Sequence, residues 1–432
     1  MTLLKAVRGT RDLLPPETDL WNHVEATARR VFARYNFGEI RTPVFEDTQL
    51  FARGVGEETD IVSKEMYTWE DRARAQSEKS QSLTLRPENT AGVVRAYIEH
   101  KLGETGLLQK LYYIGPQFRR ERPQKGRYRQ FWQIGAEVIG PPSAGSESAL
   151  RDAEVLEMLA SFLNELGISG WTLVVNSVGS ATDRPRYIAA LREALQDKAP
   201  HMCADCQRRA ETNPLRVLDC KVPEDQPIIE ALPKIADYLD DASRAHFAQV
   251  LAALDACGVP YTVNPRLVRG LDYYTRTTFE FTHGGLGAQN ALLGGGRYDG
   301  LSEMLGGPKA PGIGFAIGLD RLILTLQAQA EAAPEKPAPL LADAYIAPLG
   351  DAMDAPALAL ARELRREGLR IELGDGAFRL KKSFEAGNKL ARNIVLLGED
   401  EQRSGILTVK RFATGEQIKV PRADLAQTLK NS

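Results

Sequence analysis

One stretch constrains the fold more than any other: KLYYIGPQFRRERPQKGRYRQFWQIGAEVIG, residues 110–140. Two apolar, β-rich runs flank a polar loop, and such a pair closes as an antiparallel hairpin. The loop, residues 119–129, carries six basic side chains (Arg119, Arg120, Arg122, Lys125, Arg127, Arg129) against a single acid, Glu121. The returning run then delivers one carboxylate, Glu137. Side chains alternate across a strand, so Phe131, Gln133 and Glu137 share one face. The bland reading of a charge run is a solvated hairpin tip. Here the run is arginine-dominated and flanked by Tyr128, Phe131 and Trp132. A guanidinium grips phosphate through two parallel hydrogen bonds, and an adjacent aromatic face can stack a base. The loop therefore reads as a nucleotide or nucleic-acid phosphate site.

The rest of the chain keeps that site local. With 55 basic and 57 acidic residues the formal net charge is −2, against a protein that coats nucleic acid. At 432 residues the chain exceeds one growing core, so two or three domains are expected. No apolar run has the length of a signal peptide or membrane span, and four cysteines are too few for a disulfide framework. A cytoplasmic location is the expectation.

Periodicity predicts a helix over residues 18–35 and a strand over GEIRTPVFED. A strand breaks at Pro87, with a helix beginning at Asn89 or Thr90, both good N-cap types. A helix over residues 148–167 leads into the strand WTLVVNSVG, and residues 181–258 read as a helical insertion. Strands resume with PYTVNPRLVRGLDYYTRTTFEF and NALLGGGRYDGLSEML, and PGIGFAIGLDRLILTLQAQ reads as a strand feeding a helix. The Pro- and Ala-rich AEAAPEKPAPLLA is the best linker. It divides residues 1–330 from an alternating α/β domain at 340–432, with 331–339 between them.

Obvious phosphate motifs fail. No GxxxxGK[ST] is present, and PGIGFAIG places its third glycine one position late for a dinucleotide fingerprint. VRGLDYYTRTTFEF is too polar for a core strand; alone it would read as an edge strand with paired charges. HMCADC supplies two thiols at ligand spacing, with His201 and Cys220 as conceivable completions, but a second CxxC or HxxxH is missing. Cys203, Cys206 and Cys220 therefore read as small buried hydrophobes, and no structural zinc is expected.

Together, FRRERPQKGRYRQFWQIGAE, VRGLDYYTRTTFEF and GIGFAIGLDRL resemble motif 2, the histidine-specific motif and motif 3 of the class II histidyl-tRNA synthetases. GEIRTPVFEDTQLF resembles their motif 1, and LTLRPENT a further substrate-binding segment. The resemblance implies an α+β catalytic domain with a mostly antiparallel sheet flanked by helices, a helical insertion that contacts the tRNA acceptor arm, and a C-terminal α/β anticodon-binding domain. It also implies histidine, ATP with Mg2+ and tRNA(His) as substrates, and a homodimer built on the first helix and GEIRTPVFED.

Position by position, Arg119 resembles the motif 2 arginine on the α-phosphate and the histidine carboxylate. Glu121 and Arg127 resemble contacts to adenine and the outer phosphate, Phe131 the adenine platform, and Arg321 the motif 3 arginine near the γ-phosphate. Glu88, Thr90 and Gln133 resemble the α-ammonium set. Asn89 stands where the family more often has glycine. Glu137, Tyr274 and Tyr298, with Tyr273 beside them, resemble the imidazole-reading set, and Arg269 the catalytic arginine. Lys381, Lys382, Lys389, Arg392, Lys410 and Arg411 could line an RNA face. A synthetase-like regulatory subunit of ATP phosphoribosyltransferase and a non-catalytic RNA-sensing module are the rival readings. The C-terminal domain and the intact stretch from Arg269 to Tyr274 speak against the first, and the intact Glu88, Arg119, Arg269 and Arg321 against the second.

Overall fold

The computed structural model describes residues 3–56, 59–71, 80–123, 126–268, 273–286, 290–332 and 341–431. The chain divides into two compact units, Met1–Pro334 and Glu335–Ser432. The first begins with α1 (Glu17–Arg34), β1 (Gly38–Glu39), β2 (Phe45–Asp47), α2 (Thr48–Val55), β3 (Tyr67–Asp71), β4 (Gln81–Leu85) and α3 (Thr90–Glu99). GEIRTPVFED is thus two short pieces rather than one strand, since Pro43 has no N–H to offer a ladder. The hairpin follows as β5 (Gln109–Phe118) and β6 (Gln130–Ile139), paired in register from Gln109↔Ile139 to Phe118↔Gln130.

Next come α4 (Ala149–Glu165), β7 (Trp171–Ser177) and the helical segment of α5 (Asp183–Leu195), α6 (Ala204–Thr212), α7 (Gln226–Glu230) and α8 (Asp241–Ala256). The unit closes with β8 (Tyr261–Val263), β9 (Thr275–His283), β10 (Ala291–Arg297), α9 (Leu301–Met304), β11 (Gly312–Gly318) and α10 (Leu319–Ala332). The run NALLGGGRYDGLSEML is therefore strand only in its first half, and Leu301 and Ser302 turn inward on a short helix.

An eight-stranded sheet, in order β1-β5-β6-β11-β10-β9-β7-β8, organises this unit. Only the β1–β5 and β7–β8 pairs are parallel. One face packs Ile134, Ala136, Val138, Ile313, Phe315 and Ile317 into the main core with α1, α4 and α10. Phe32 sits centrally there, its ring 5.5 Å from Tyr112, 5.9 Å from Phe162 and 5.8 Å from Phe315. Each such pair contributes about 0.5–1.5 kcal/mol beyond area burial. The core face being filled, the opposite face is left for the site.

The second unit has a five-stranded sheet, β13 (Ile371–Leu373), β12 (Ala342–Pro348), β14 (Ala391–Leu397), β15 (Ile406–Arg411) and β16 (Gln417–Pro421) in that order. Helices α11 (Asp354–Arg366), α12 (Leu380–Leu390), α13 (Glu399–Ser404) and α14 (Leu425–Lys430) accompany it. Ala344, Ile346, Leu360, Leu364, Val395 and Leu425 form its own buried core. Of its basic residues, Lys382 lies over Phe378 at 3.5 Å, Lys410 over Phe384 at 5.3 Å, and Arg411 pairs with Glu416 at 3.0 Å. Among the described residues no helix is long and apolar enough to cross a membrane.

Candidate active site

The free face of the large sheet is floored by glycine. Register places Gly314 opposite Glu137 and Gly318 opposite Gln133, and pairs Gly314 in turn with Gly296. A Cβ on Gly314 would lie 1.7 Å from Glu137 Oε2, and one on Gly296 would lie 2.8 Å from the Tyr274 ring. PGIGFAIG is thus no phosphate loop. Its alternate residues Ile313, Phe315 and Ile317 feed the core, while its glycines clear space above the sheet.

At the deep end Glu137 is fully buried. Its Oε1 accepts from the Thr90 hydroxyl at 2.8 Å and its Oε2 from the Tyr298 hydroxyl at 2.6 Å. Among the described residues no basic side chain pairs with it. Burial pushes Glu137 up to about 8, against the hydrogen bonds from Tyr298 and Thr90, with Glu88 adding to the rise. Burial and the neighbouring Glu137 carry the Tyr298 phenol well above its ordinary value, so it stays a donor. Tyr273 and Tyr274 close the wall, their rings 4.7 Å apart, with Tyr273 5.9 Å from Tyr298.

Glu88 caps α3: its Oε2 accepts from the Thr90 N–H at 2.7 Å and its Oε1 from the Ala91 N–H at 3.0 Å. Burial still raises it above the usual carboxylate range. Asn89 accepts from the Thr42 hydroxyl at 2.6 Å, so its side chain is structural in this position. Its φ of −122° needs no left-handed backbone, which removes any requirement for glycine there.

Toward solvent the face opens into a cavity of about 310 Å³ lined by Arg119, Glu121, Arg127, Phe131, Gln133 and Arg321. The Arg119 guanidinium lies 5.4 Å from the Phe131 ring, its Nε donating to the Pro87 carbonyl at 2.9 Å. Arg127 pairs with Glu121 at 3.1 Å, and Arg321 donates to the Ala291 carbonyl at 2.7 Å. Burial, and next the Arg127 guanidinium, hold Arg321 below its ordinary value. A cavity that crowds like charges in this way is suited to an anion. The structure therefore brings Glu88, Asn89, Thr90, Glu137, Tyr273, Tyr274 and Tyr298 to one end and Arg119, Glu121, Arg127, Phe131 and Arg321 to the other, with Gln133 lining the cavity between them. Arg269 and Asp272 lie outside the described residues.

Three further residues belong to the site. Tyr113 crosses above Gly135, where an added Cβ would lie 2.3 Å from its hydroxyl, and that hydroxyl is buried without a partner among the described residues. The Gln133 Oε1 is likewise buried and unpaired. Arg86 donates to the Pro116 and Thr42 carbonyls at 2.9 and 3.0 Å and ties the end of β5 to residue 42. Glu280 on β9 lines the open cavity with Glu121. Only the pairing Tyr113↔Gly135, invisible without register, could have marked the first of them.

A sequence profile described as histidyl-tRNA synthetase matches residues 9–322, and one described as an anticodon binding domain matches residues 343–432. The histidine–tRNA ligase of Koribacter versatilis is 72% identical over 431 residues, covering 99% of this chain and 96% of that protein. That of Solibacter usitatus is 57% identical, covering 99% of both. The crystal structure of the apo Staphylococcus aureus histidyl-tRNA synthetase superposes with a TM-score of 0.79 at 37% identity, over 99% of this chain and 100% of that one. With both profiles seated on the two units and full-length relatives at this identity, the chain belongs to the histidyl-tRNA synthetase family.

Proposed function

We infer that the chain is a histidine–tRNA ligase that charges tRNA(His) in two steps. A carboxylate oxygen of L-histidine attacks the α-phosphorus of MgATP, the bond to pyrophosphate breaks, and histidyl-adenylate forms. The terminal ribose hydroxyl of tRNA(His) then attacks the adenylate carbonyl, and AMP leaves. The observation that carries this reading is the juxtaposition, on one glycine-floored sheet face, of a buried carboxylate with no basic partner among the described residues and an arginine-ringed cavity.

In this reading Glu137 takes one imidazole nitrogen, with Tyr298, Tyr273 and Tyr274 shaping the slot around the other. Glu88, Thr90 and Gln133 face the α-ammonium, and Asn89 holds the turn that presents them. Phe131 stacks adenine, Glu121 and Arg127 contact the base and outer phosphate, and Arg321 lies near the γ-phosphate. Arg119 and Arg269 neutralise the α-phosphate. In-line displacement at phosphorus needs positioning and charge neutralisation rather than a base. Mg2+ enters as MgATP, and Glu280 and Glu121 are the carboxylates that could accompany it.

The exposed Val44, Phe45 and Trp69 support a homodimer through the 38–47 segment and α1, since clustered apolar surface marks interaction sites. Sedimentation showing only monomer would remove that part. We propose that the reaction takes place in the cytoplasm. Histidine-dependent exchange of labelled pyrophosphate into ATP by the purified protein tests the whole reading. No exchange with any amino acid ends it, and exchange with another amino acid ends the assignment of histidine.

A further inference from the structure

We propose that Cys203, Cys206, Cys220 and Asp225 form a structural Zn2+ site that staples the helical segment of the first unit. The proposal is independent of the charging reaction. The sequence offered two thiols at ligand spacing, with His201 and Cys220 as conceivable completions; His201 lies exposed. The fold supplies the fourth from elsewhere. Each of the four residues offers one donor atom, and these atoms all lie within 4.8 Å of one another. Cys206, Cys220 and Asp225 are buried, at 0%, 4% and 2% exposure, and Cys203 is partly buried.

The separations suit a tetrahedral ion. With Zn–S about 2.3 Å and Zn–O about 2.0–2.2 Å, the edges of a tetrahedron are about 3.8 Å between sulfurs and about 3.5 Å from sulfur to oxygen. Cys203 Sγ and Cys220 Sγ are 3.9 Å apart, and Cys220 Sγ is 3.2 Å from Asp225 Oδ2. The Val222 N–H points at Cys220 Sγ from 3.4 Å, and the Cys203 N–H donates to Asp225 Oδ1 at 3.1 Å. Backbone donors of this kind orient and charge-balance metal ligands.

In the alternative, a small metal-free cluster, Asp225 rests only on the Cys203 N–H and the Cys220 thiol. A carboxylate buried among three thiols, with no basic side chain paired to it among the described residues, is costly. A divalent cation removes that cost, and soft thiolate donors in a closed set select zinc. What the ion would hold is visible around it. The segment from residue 199 to 230 is short helices and turns resting on few apolar side chains, among them Met202, Leu215, Val217, Leu218 and Ile229. The ligands come from both ends of that segment, so binding closes it as one loop.

The test uses the full-length, untagged protein purified under reducing conditions without chelator. Elemental analysis is expected to give about one zinc per chain. Protein stripped of metal anaerobically, and shown still folded by circular dichroism, is then titrated with Co2+. The expected result is a tetrahedral thiolate–cobalt spectrum that saturates at one equivalent and is erased by Zn2+. Cys203→Ser and Asp225→Asn should each weaken uptake by tenfold or more, about the low end for removing a ligand or its support. Cys257→Ser, at an exposed cysteine outside the cluster, should leave it unchanged. Folded wild-type protein that shows no tetrahedral cobalt spectrum overturns the proposal. So does uptake that survives both Cys203→Ser and Asp225→Asn, or metal-free protein isolated with a Cys203–Cys220 disulfide.

Discussion

Glu137 is an acid at the bottom of an apolar sheet, and its cost is visible in its ionisation. Its carboxyl titrates at about 8 in the substrate-free fold against 4.5 in an unfolded chain, because burial opposes its charge. The folded state therefore binds the proton more tightly than the unfolded state. This contribution to stability is fully present below about 4.5 and is lost as pH rises through about 8. Glu137→Gln keeps the shape and removes the charge. Thermal melts of the substrate-free proteins should show the variant gaining on wild type as pH rises from 4.5 to 8 and the difference levelling above that. The plateau should be roughly a few kcal/mol. A difference that shrinks with rising pH would contradict the assignment. The same variant should lose histidine-dependent pyrophosphate exchange by roughly 10³-fold or more in kcat/KM, since a slot built for hydrogen bonds rejects poorly matched partners strongly.

Strands β6, β10 and β11 act as one device, with branched and aromatic side chains below and glycines above. Gly314→Ala drives a methyl onto Glu137 Oε2 and to within 2.8 Å of the Ala136 carbonyl. It should cost about 1–3 kcal/mol of stability and abolish exchange. Gly318→Ala, on the same strand but with nothing within 4 Å of the new Cβ, should leave the melt near wild type and raise the KM for ATP. Equal destabilisation by the two would refute the packing argument. The end of β10 is anchored separately. Arg297 is fully buried, donating to Asp152 on α4 at 3.1 Å, to the Ser146 carbonyl at 2.8 Å and to Asp299 at 2.9 Å. That anchor sets the residue before Tyr298. Arg297→Ala strands Asp152 in the core, and denaturant titration should show a loss of about 3–5 kcal/mol.

The two units carry separate buried cores, one on each side of residue 334. A chain ending at residue 334 should fold and keep histidine-dependent pyrophosphate exchange, because every residue placed at the reacting groups lies before that point. Its charging of tRNA(His) should fall by tenfold or more, about the loss of one modest set of contacts. Parallel loss of both activities would mean that the first unit does not stand alone. Pro, Ala and charge replace apolar periodicity around that division. The hairpin was legible from its two β-rich runs around a polar loop. The GEIRTPVFED segment and the second half of NALLGGGRYDGLSEML were misread, because a proline and a turn interrupt ladders that local propensity would continue.

What the sequence determined by itself was chemical kind and order: arginines beside aromatics, an acid among apolar residues, and motifs in an order that resembles one family. Tertiary structure decided who meets whom. Tyr113 reaches the site through a pairing with Gly135, Glu280 through its place on β9, and Asp225 joins Cys203 across 22 residues of chain. Such meetings depend on strand register and loop closure, which are global properties of the packed chain, and no local window of residues contains them.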